Sequence, residues 1–359
     1  MTTREEMETL IARGRYEEVL ERLEEIEDPL ERVRLLLDLA LAVGGKKGLE
    51  DWIPDLVEDA LYIAERLKNP SYRGIAYAMI GSTLGSLGYD EDAMELFARA
   101  LDSTDDVVSP LERGMVLSTI AYHMTVGGYP REALEIFNVA FDTVMGAEVR
   151  YTQKVDGILR IGELLEAAGD ELPAGESLEF YGMAFDIFDK LHVNQRAGVV
   201  EKKIQLAGTV RDVGLPEIRR ALLEGRHHQA IVLVERKYDG FAALVGELEV
   251  ALWMKRTNSL EYPDIVDRAF ERYGGSTLTE AGVRKVAKLL TELGRLKMAL
   301  RFAITIKDPT ARSEALGAIA MELARKELFE EAKKVVGKIP DPAIRERILM
   351  ELAGMEGSR

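Results

Sequence analysis

The sequence has no cysteine, which excludes disulfides, thiol nucleophiles and cysteine-ligated metal sites together. It holds only four asparagines, four glutamines, four histidines and two tryptophans among 359 residues. Few amides, no cysteine and abundant Glu, Arg and Lys are the balance expected of a hyperthermophile. No run approaches the ~20 apolar residues that a membrane helix needs. The nearest, "FAALVGELEVALWM", is interrupted by Glu247 and Glu249. The N-terminal "MTTREEMETLIARGRYEEVL" alternates charged and apolar residues, unlike a signal or transit peptide. A cytoplasmic protein without membrane contact is expected. The net charge of −16 argues against a nucleic-acid partner, because phosphates would be repelled over most of the surface.

Catalytic chemistry has few candidates. His227 and His228 are adjacent, so on a helix they project about 100° apart and cannot chelate one ion from one face. His123 follows Tyr122 and reads as packing or lining. "GGKKG" at 44–48 lacks the Ser or Thr after Lys and the preceding strand of a phosphate loop, and reads as an inter-helix turn. Carboxylates are too numerous for any pair to stand out. The sequence nominates no catalytic, cofactor-binding or metal-ligating residue, and an enzyme is not expected.

What the sequence does contain is a recurring motif. "DPLER" at 28–32, "NPSYR" at 69–73, "SPLER" at 109–113, "DPTAR" at 308–312 and "DPAIR" at 341–345 share a capping residue, a proline and an arginine three positions later. The first residue suits the N-cap and the proline suits the first helical position. Each copy is thus a stop followed by a helix start. The arginine stands one turn into the helix, at the wrong end of its dipole. That position predicts a compensating partner for Arg32, Arg73, Arg113, Arg312 and Arg345, either the last carbonyls or an acid of a neighbouring helix.

Aligning on the motif exposes a repeat of two amphipathic helices joined by a short turn that often carries glycine. Ala299 and Ala332 are 33 residues apart, Ala93 and Ala133 are 40 apart, and Ala133 and Ser177 are 44 apart. Such a period predicts an all-α fold, an α-solenoid of stacked antiparallel helix pairs whose apolar faces are buried by their neighbours. Three regions follow. Residues 1–191 are an N-terminal run of repeats. Residues 192–275 lose register and predict a bend or a change of superhelical sense. Residues 276–359 resume the array, with Thr277 and Glu280 spaced as a capping box and a last amphipathic helix as cap.

Here the chain resembles the tetratricopeptide repeat family. Gly81, Gly88, Ala93, Phe97 and Ala100 fit its packing signature, as do Ala121, Gly128, Ala133, Phe137 and Ala140. Gly162, Ser177, Tyr181 and Ala184 fit with a longer turn, and Ala320, Ala332, Val336 and Ile339 fit weakly. The resemblance is good over 70–190, fair over 277–353 and poor between. It implies a groove lined by first helices that accepts a partner segment. The positions carried over are Ala78, Ser82 and Gly85, then Ser118, Tyr122 and Thr125, then Glu163 and Glu166, and finally Arg284 and Lys288. Contacts between packed first helices are the competing reading of the same positions. The family's clamp for a peptide carboxylate uses Lys and Asn where Ala78 and Ser82 stand, so that ligand is not expected.

The expected function is a non-catalytic protein–protein interaction scaffold. It would bind a protein or peptide segment, or a second copy of itself, through the groove or an edge. The alternative is a regulatory module binding an anionic ligand or nucleic acid through residues 215–237. There Arg219, Arg220, Arg226, Arg236 and Lys237 outnumber three glutamates, with His227 and His228 beside them. Arg219, Arg220, Arg226, His227 and His228 would form that patch.

Overall fold

Two kinds of turn, both local in origin, cut the chain into helices. At the first kind Asp28, Asn69, Ser109, Asp308 and Asp341 cap a helix that opens on proline. Their side chains accept from the amides of Leu30 (2.9 Å), Ser71 (2.8 Å), Glu112 (3.3 Å), Ala311 (2.9 Å) and Ala343 (2.8 Å). At the second kind one residue turns left-handed and the next amide reaches back over the helix end, the Schellman arrangement. Tyr89 donates to the Leu84 carbonyl (2.9 Å), Tyr129 to Met124 (2.9 Å), Arg226 to Ala221 (2.8 Å) and Arg295 to Leu290 (2.9 Å). Glycine holds the left-handed place at 88, 128, 225 and 294, and Glu327 holds it in a later turn at φ 64°.

The computed structural model of the chain describes residues 3–275 and 277–357. Among them every regular element is helical, and the fold is an all-α solenoid of helix pairs. Two compact units are distinguished, one reaching Leu172 and including Glu176–Ile204, the other made of Pro173–Gly175 and the chain from Gln205 onward. The first unit contains α1 (Thr3–Ala12), α2 (Tyr16–Arg22), α3 (Pro29–Gly44), α4 (Trp52–Glu65), α5 (Pro70–Ser86) and α6 (Asp90–Asp105). It continues with α7 (Pro110–Val126), α8 (Pro130–Gly146), α9 (Tyr151–Glu171) and most of α10 (Ala174–Lys190) and α11 (Asn194–Thr209). The second unit contains α12 (Pro216–Leu223), α13 (His227–Lys237), α14 (Gly240–Arg256), α15 (Tyr262–Tyr273) and α16 (Glu280–Leu293). It ends with α17 (Leu296–Ala303), α18 (Pro309–Arg325), α19 (Phe329–Val336) and α20 (Pro342–Gly357).

Within each unit the first helices of successive pairs pack on one another: α3 on α5, α5 on α7 and α7 on α9, then α14 on α16, α16 on α18 and α18 on α20. Of the second helices, α4, α6, α8, α13, α17 and α19 pack instead on their own partner and on the first helix that follows. One layer is therefore tight and the other leaves openings between neighbours. The approach in the tight layer is close at Gly85 of α5, where a Cβ would stand 2.3 Å from the Gly127 carbonyl oxygen. The residues that carry the repeat signature fill the space between layers. Ala93, Phe97, Ala100, Ala133, Phe137, Ala140, Tyr181 and Ala184 are all buried.

Three motif arginines find the acceptors expected of them. Arg32 donates to the Ile26 carbonyl at the end of the preceding helix. Arg73 reaches Asp106 at 3.0 Å and Arg113 pairs with Asp105, so the end of α6 is held from both sides. Arg312 and Arg345 are half-buried and make no such bond to a described residue. The expected capping box at Thr277 is corrected. Thr279 is the cap, accepting from Gly282 (3.1 Å), and Glu280 instead accepts from the Asp308 amide (2.9 Å), tying α16 to the start of α18. Ser276, where the third sequence region begins, lies outside the described residues.

Candidate functional site

In the first unit the groove positions carried over by resemblance are mostly closed. Ala78 and Ser118 are fully buried, Ser82 and Thr125 nearly so, and α5 shows no exposed residue from Ala76 to Leu84. These small side chains are what lets α5 and α7 approach. They act as contacts between packed first helices and have no surface to offer a ligand. Tyr122 alone of its group stays half-open, with its ring 5.4 Å from that of His123 at 73°.

Around Tyr122 the sequence had not marked several charged residues. Arg34 of α3 and Asp170 and Glu171 of α9 all bear electrostatically on Tyr122. Burial raises the Tyr122 hydroxyl, with Glu171 adding to the rise. Burial, aided by Arg34, lowers the His123 imidazole to about 4. A depressed histidine is neutral throughout the physiological range and accepts its proton only under acid. Titrating the imidazole by NMR should give a midpoint of about 4. A midpoint near 6.5 would show a solvated ring and undo this account of the site.

Glu166, nearly buried on α9, has both carboxylate oxygens occupied from within the chain. Arg196 stands 3.0 Å from one oxygen and Lys203 stands 2.8 Å from the other. Lys203 also bonds to Asp170 (2.6 Å), which accepts from the Tyr181 hydroxyl (2.8 Å). Glu163 is taken by Arg160 at 3.1 Å. The acidic middle of the expected groove is thus a network joining α9, α10 and α11. Arg196 and Lys203 are seven residues apart on α11, two helical turns, which is the one signal in sequence that they share a face.

The second unit keeps an open groove on its first-helix layer, of about 590 Å³, over α16, α18 and α20. Ala311, Ala315, Ala318 and Met321 of α18 form its floor. Arg284 and Lys288, carried over from the resemblance, line one wall, and Arg347 lines the other. Arg284 is paired with Glu280 (3.1 Å), whereas Lys288 forms no ion pair with a described residue.

The basic stretch at 215–237 does not gather into one patch. Arg219 is buried at 3% exposure, and Arg220 is exposed on α12. Arg226, His227 and His228 do come together, lining a shallow opening with Ser259, Leu260 and Glu261. Arg226 is bonded to Glu224 and to Gln229 (2.9 Å), and the His228 Nε2 lies 3.6 Å from Glu261. Neighbouring acids therefore offset the positive charge. Among the described residues no group of three His, Asp or Glu side chains is placed to hold a metal ion, and no helix is long and apolar enough to cross a membrane.

The crystal structure of Ton1535 from Thermococcus onnurineus NA1 is similar to this chain along nearly its whole length. Identity is 56% and the TM-score 0.94, covering 98% of this chain and 99% of that one. A circular tandem repeat protein with a novel repeat topology aligns over 99% of this chain and 77% of its own. Its identity of 14% and TM-score of 0.25 are too low to bear on the fold. No protein-family model and no curated protein matches the sequence.

Proposed function

The chain belongs to the family of Ton1535, and on that premise we propose that it is a non-catalytic interaction scaffold, gripping a segment of a partner protein across the first helices of its second unit. The observation that carries this reading is the groove of about 590 Å³ over α16, α18 and α20. Small side chains at Ala311, Ala315 and Ala318 leave room for a guest's side chains, Met321 adapts its shape to them, and the charged walls fix orientation. Kinship with tetratricopeptide-like arrays is part of the proposal and is supported by the packing roles of Gly81, Ala93 and Phe97.

The test fills the groove from its floor. Ala315 is half-buried at the groove floor, so Ala315→Trp occupies the space, and Lys288→Glu reverses one wall. The wild-type chain should retain a partner from a lysate of its source organism. Each variant should lose that partner while keeping its far-UV circular dichroism and melting temperature. Equal capture by wild type and both variants would refute the groove reading.

A further inference from the structure

The second-helix layer of the same unit carries another groove, different in place and in charge. It measures about 820 Å³ and lies between α17 and α19. Leu296, Leu300, Ile319, Leu323, Leu328 and Val335 give it an apolar floor. Arg295, Lys297, Lys326, Lys334 and Lys338 stand around it against one acid, Glu331. Arg295 is committed, at 2.9 Å each, to Asp267 and to the Pro263 carbonyl. The four lysines form no ion pair with a described residue. In a chain of net charge −16, four uncompensated cations around one apolar groove are a local reversal of sign.

Helix electrostatics accounts for only part of this charge. Lys326, Lys334 and Lys338 sit at or beyond helix C-termini, where the dipole favours cations. Lys297, however, is the second residue of α17, where the dipole disfavours one. The corresponding groove of the first unit, between α4 and α6, is smaller at about 320 Å³ and has the opposite character. Asp92 and Glu95 line it with Arg99, and Arg99 is paired with Glu65 at 2.9 Å. The helix dipole thus leaves Lys297 unexplained, and the positive rim as a whole is a feature of this groove and not of the repeat.

We propose that the groove between α17 and α19 binds an acidic amphipathic helix of a partner protein. The guest's apolar stripe would cover the leucine floor while its carboxylates meet Lys297, Lys326, Lys334 and Lys338. A helix fits better than an extended strand because its backbone groups are bonded internally. An extended segment over this floor would find no strand edge to pair with and would leave its amides unsatisfied. The inference uses a different face from the scaffold reading above and does not depend on it.

The probe is a fluorescein-labelled 18-residue helical peptide with leucines on one face and glutamates on the other. A counterpart carries lysine in place of every glutamate. Binding to the full chain is followed by fluorescence anisotropy, beside Lys334→Glu/Lys338→Glu, Leu328→Asp and Lys288→Glu variants whose folding is checked by melting. The acidic peptide should bind and the basic one should not. The double reversal should weaken binding by about tenfold, the scale of two exposed ion pairs turned into repulsions. Leu328→Asp should weaken it as well, and Lys288→Glu, in the other groove, should leave it unchanged. Three outcomes overturn the proposal: no binding of the acidic peptide, equal binding of both peptides, or binding indifferent to the double reversal. Lysine-dependent binding of phosphatidylglycerol vesicles in place of the peptide would also overturn it and assign the groove to an anionic lipid surface.

Discussion

Replacing Phe137 by alanine is expected to destabilise the first unit by about 3–5 kcal/mol. The ring is fully buried on α8 and meets Phe180 of α10 edge-on, with centroids 6.2 Å apart at 88°. Truncation removes the transfer energy of the ring, opens a cavity between two pairs and breaks an aromatic contact worth about 0.5–1.5 kcal/mol beyond burial. In an array stabilised by neighbour contacts the damage should be local. Trp52 of α4 reports on the first unit and Trp253 of α14 on the second. Single-tryptophan versions, made with Trp253→Phe or Trp52→Phe, let urea unfolding be followed in each. The Trp52 transition should fall to lower urea while the Trp253 transition stays in place. A loss under about 1 kcal/mol would mean that α8 and α10 close over the cavity.

The second large effect is one of pH. Glu249 lies at the centre of α14 with no exposure, 2.8 Å from Lys285 and accepting from the Asp212 amide (3.1 Å). Burial raises its carboxyl from 4.5 to about 7, and Lys285 opposes the rise without cancelling it. A carboxyl raised on folding binds its proton more tightly in the folded state. Its contribution is therefore fully present below about 4.5 and is lost as pH rises towards 7, roughly 3 kcal/mol in all. Thermal unfolding of wild type and Glu249→Gln at pH 5 and pH 8 isolates the effect, since other groups are common to both. The variant should gain on the wild type by about that amount between the two pH values. A constant difference would show that Glu249 is ionised throughout. Glu247, equally buried and facing Arg272 at 3.8 Å, is raised in the same direction.

Both predictions depend on features of unequal visibility in the sequence. Phe137 was legible, because its place in the second helix follows from the repeat period and from Ala133 and Ala140 beside it. The five proline starts were legible for a more local reason: a cap and the proline after it act within four residues. Two glutamates inside "FAALVGELEVALWM" mark an oddity, but not its resolution, since Lys285 stands 36 positions from Glu249. The groove at Ala78, Ser82 and Ser118 was misplaced by the same blindness to distance. Register tells which side of a first helix a residue occupies. It does not tell how closely the next first helix approaches, and that is set by small side chains on both. The lysines of the second groove are scattered from 297 to 338, across three helices, and only folding brings them round one opening.

The stacking of first helix on first helix has a consequence for how the chain is made. Each pair rests on pairs adjacent in sequence, so contact order is low, and folding of such units falls in the microsecond to millisecond range. A ribosome adding about 5–20 residues per second needs about 2–8 s to supply a repeat of some 40 residues. Docking of one pair on the last is thus finished long before the next pair emerges. The chain assembles in the order in which it is translated, and α5 is enclosed by α3 and α7 before the lysines of α19 have been synthesised.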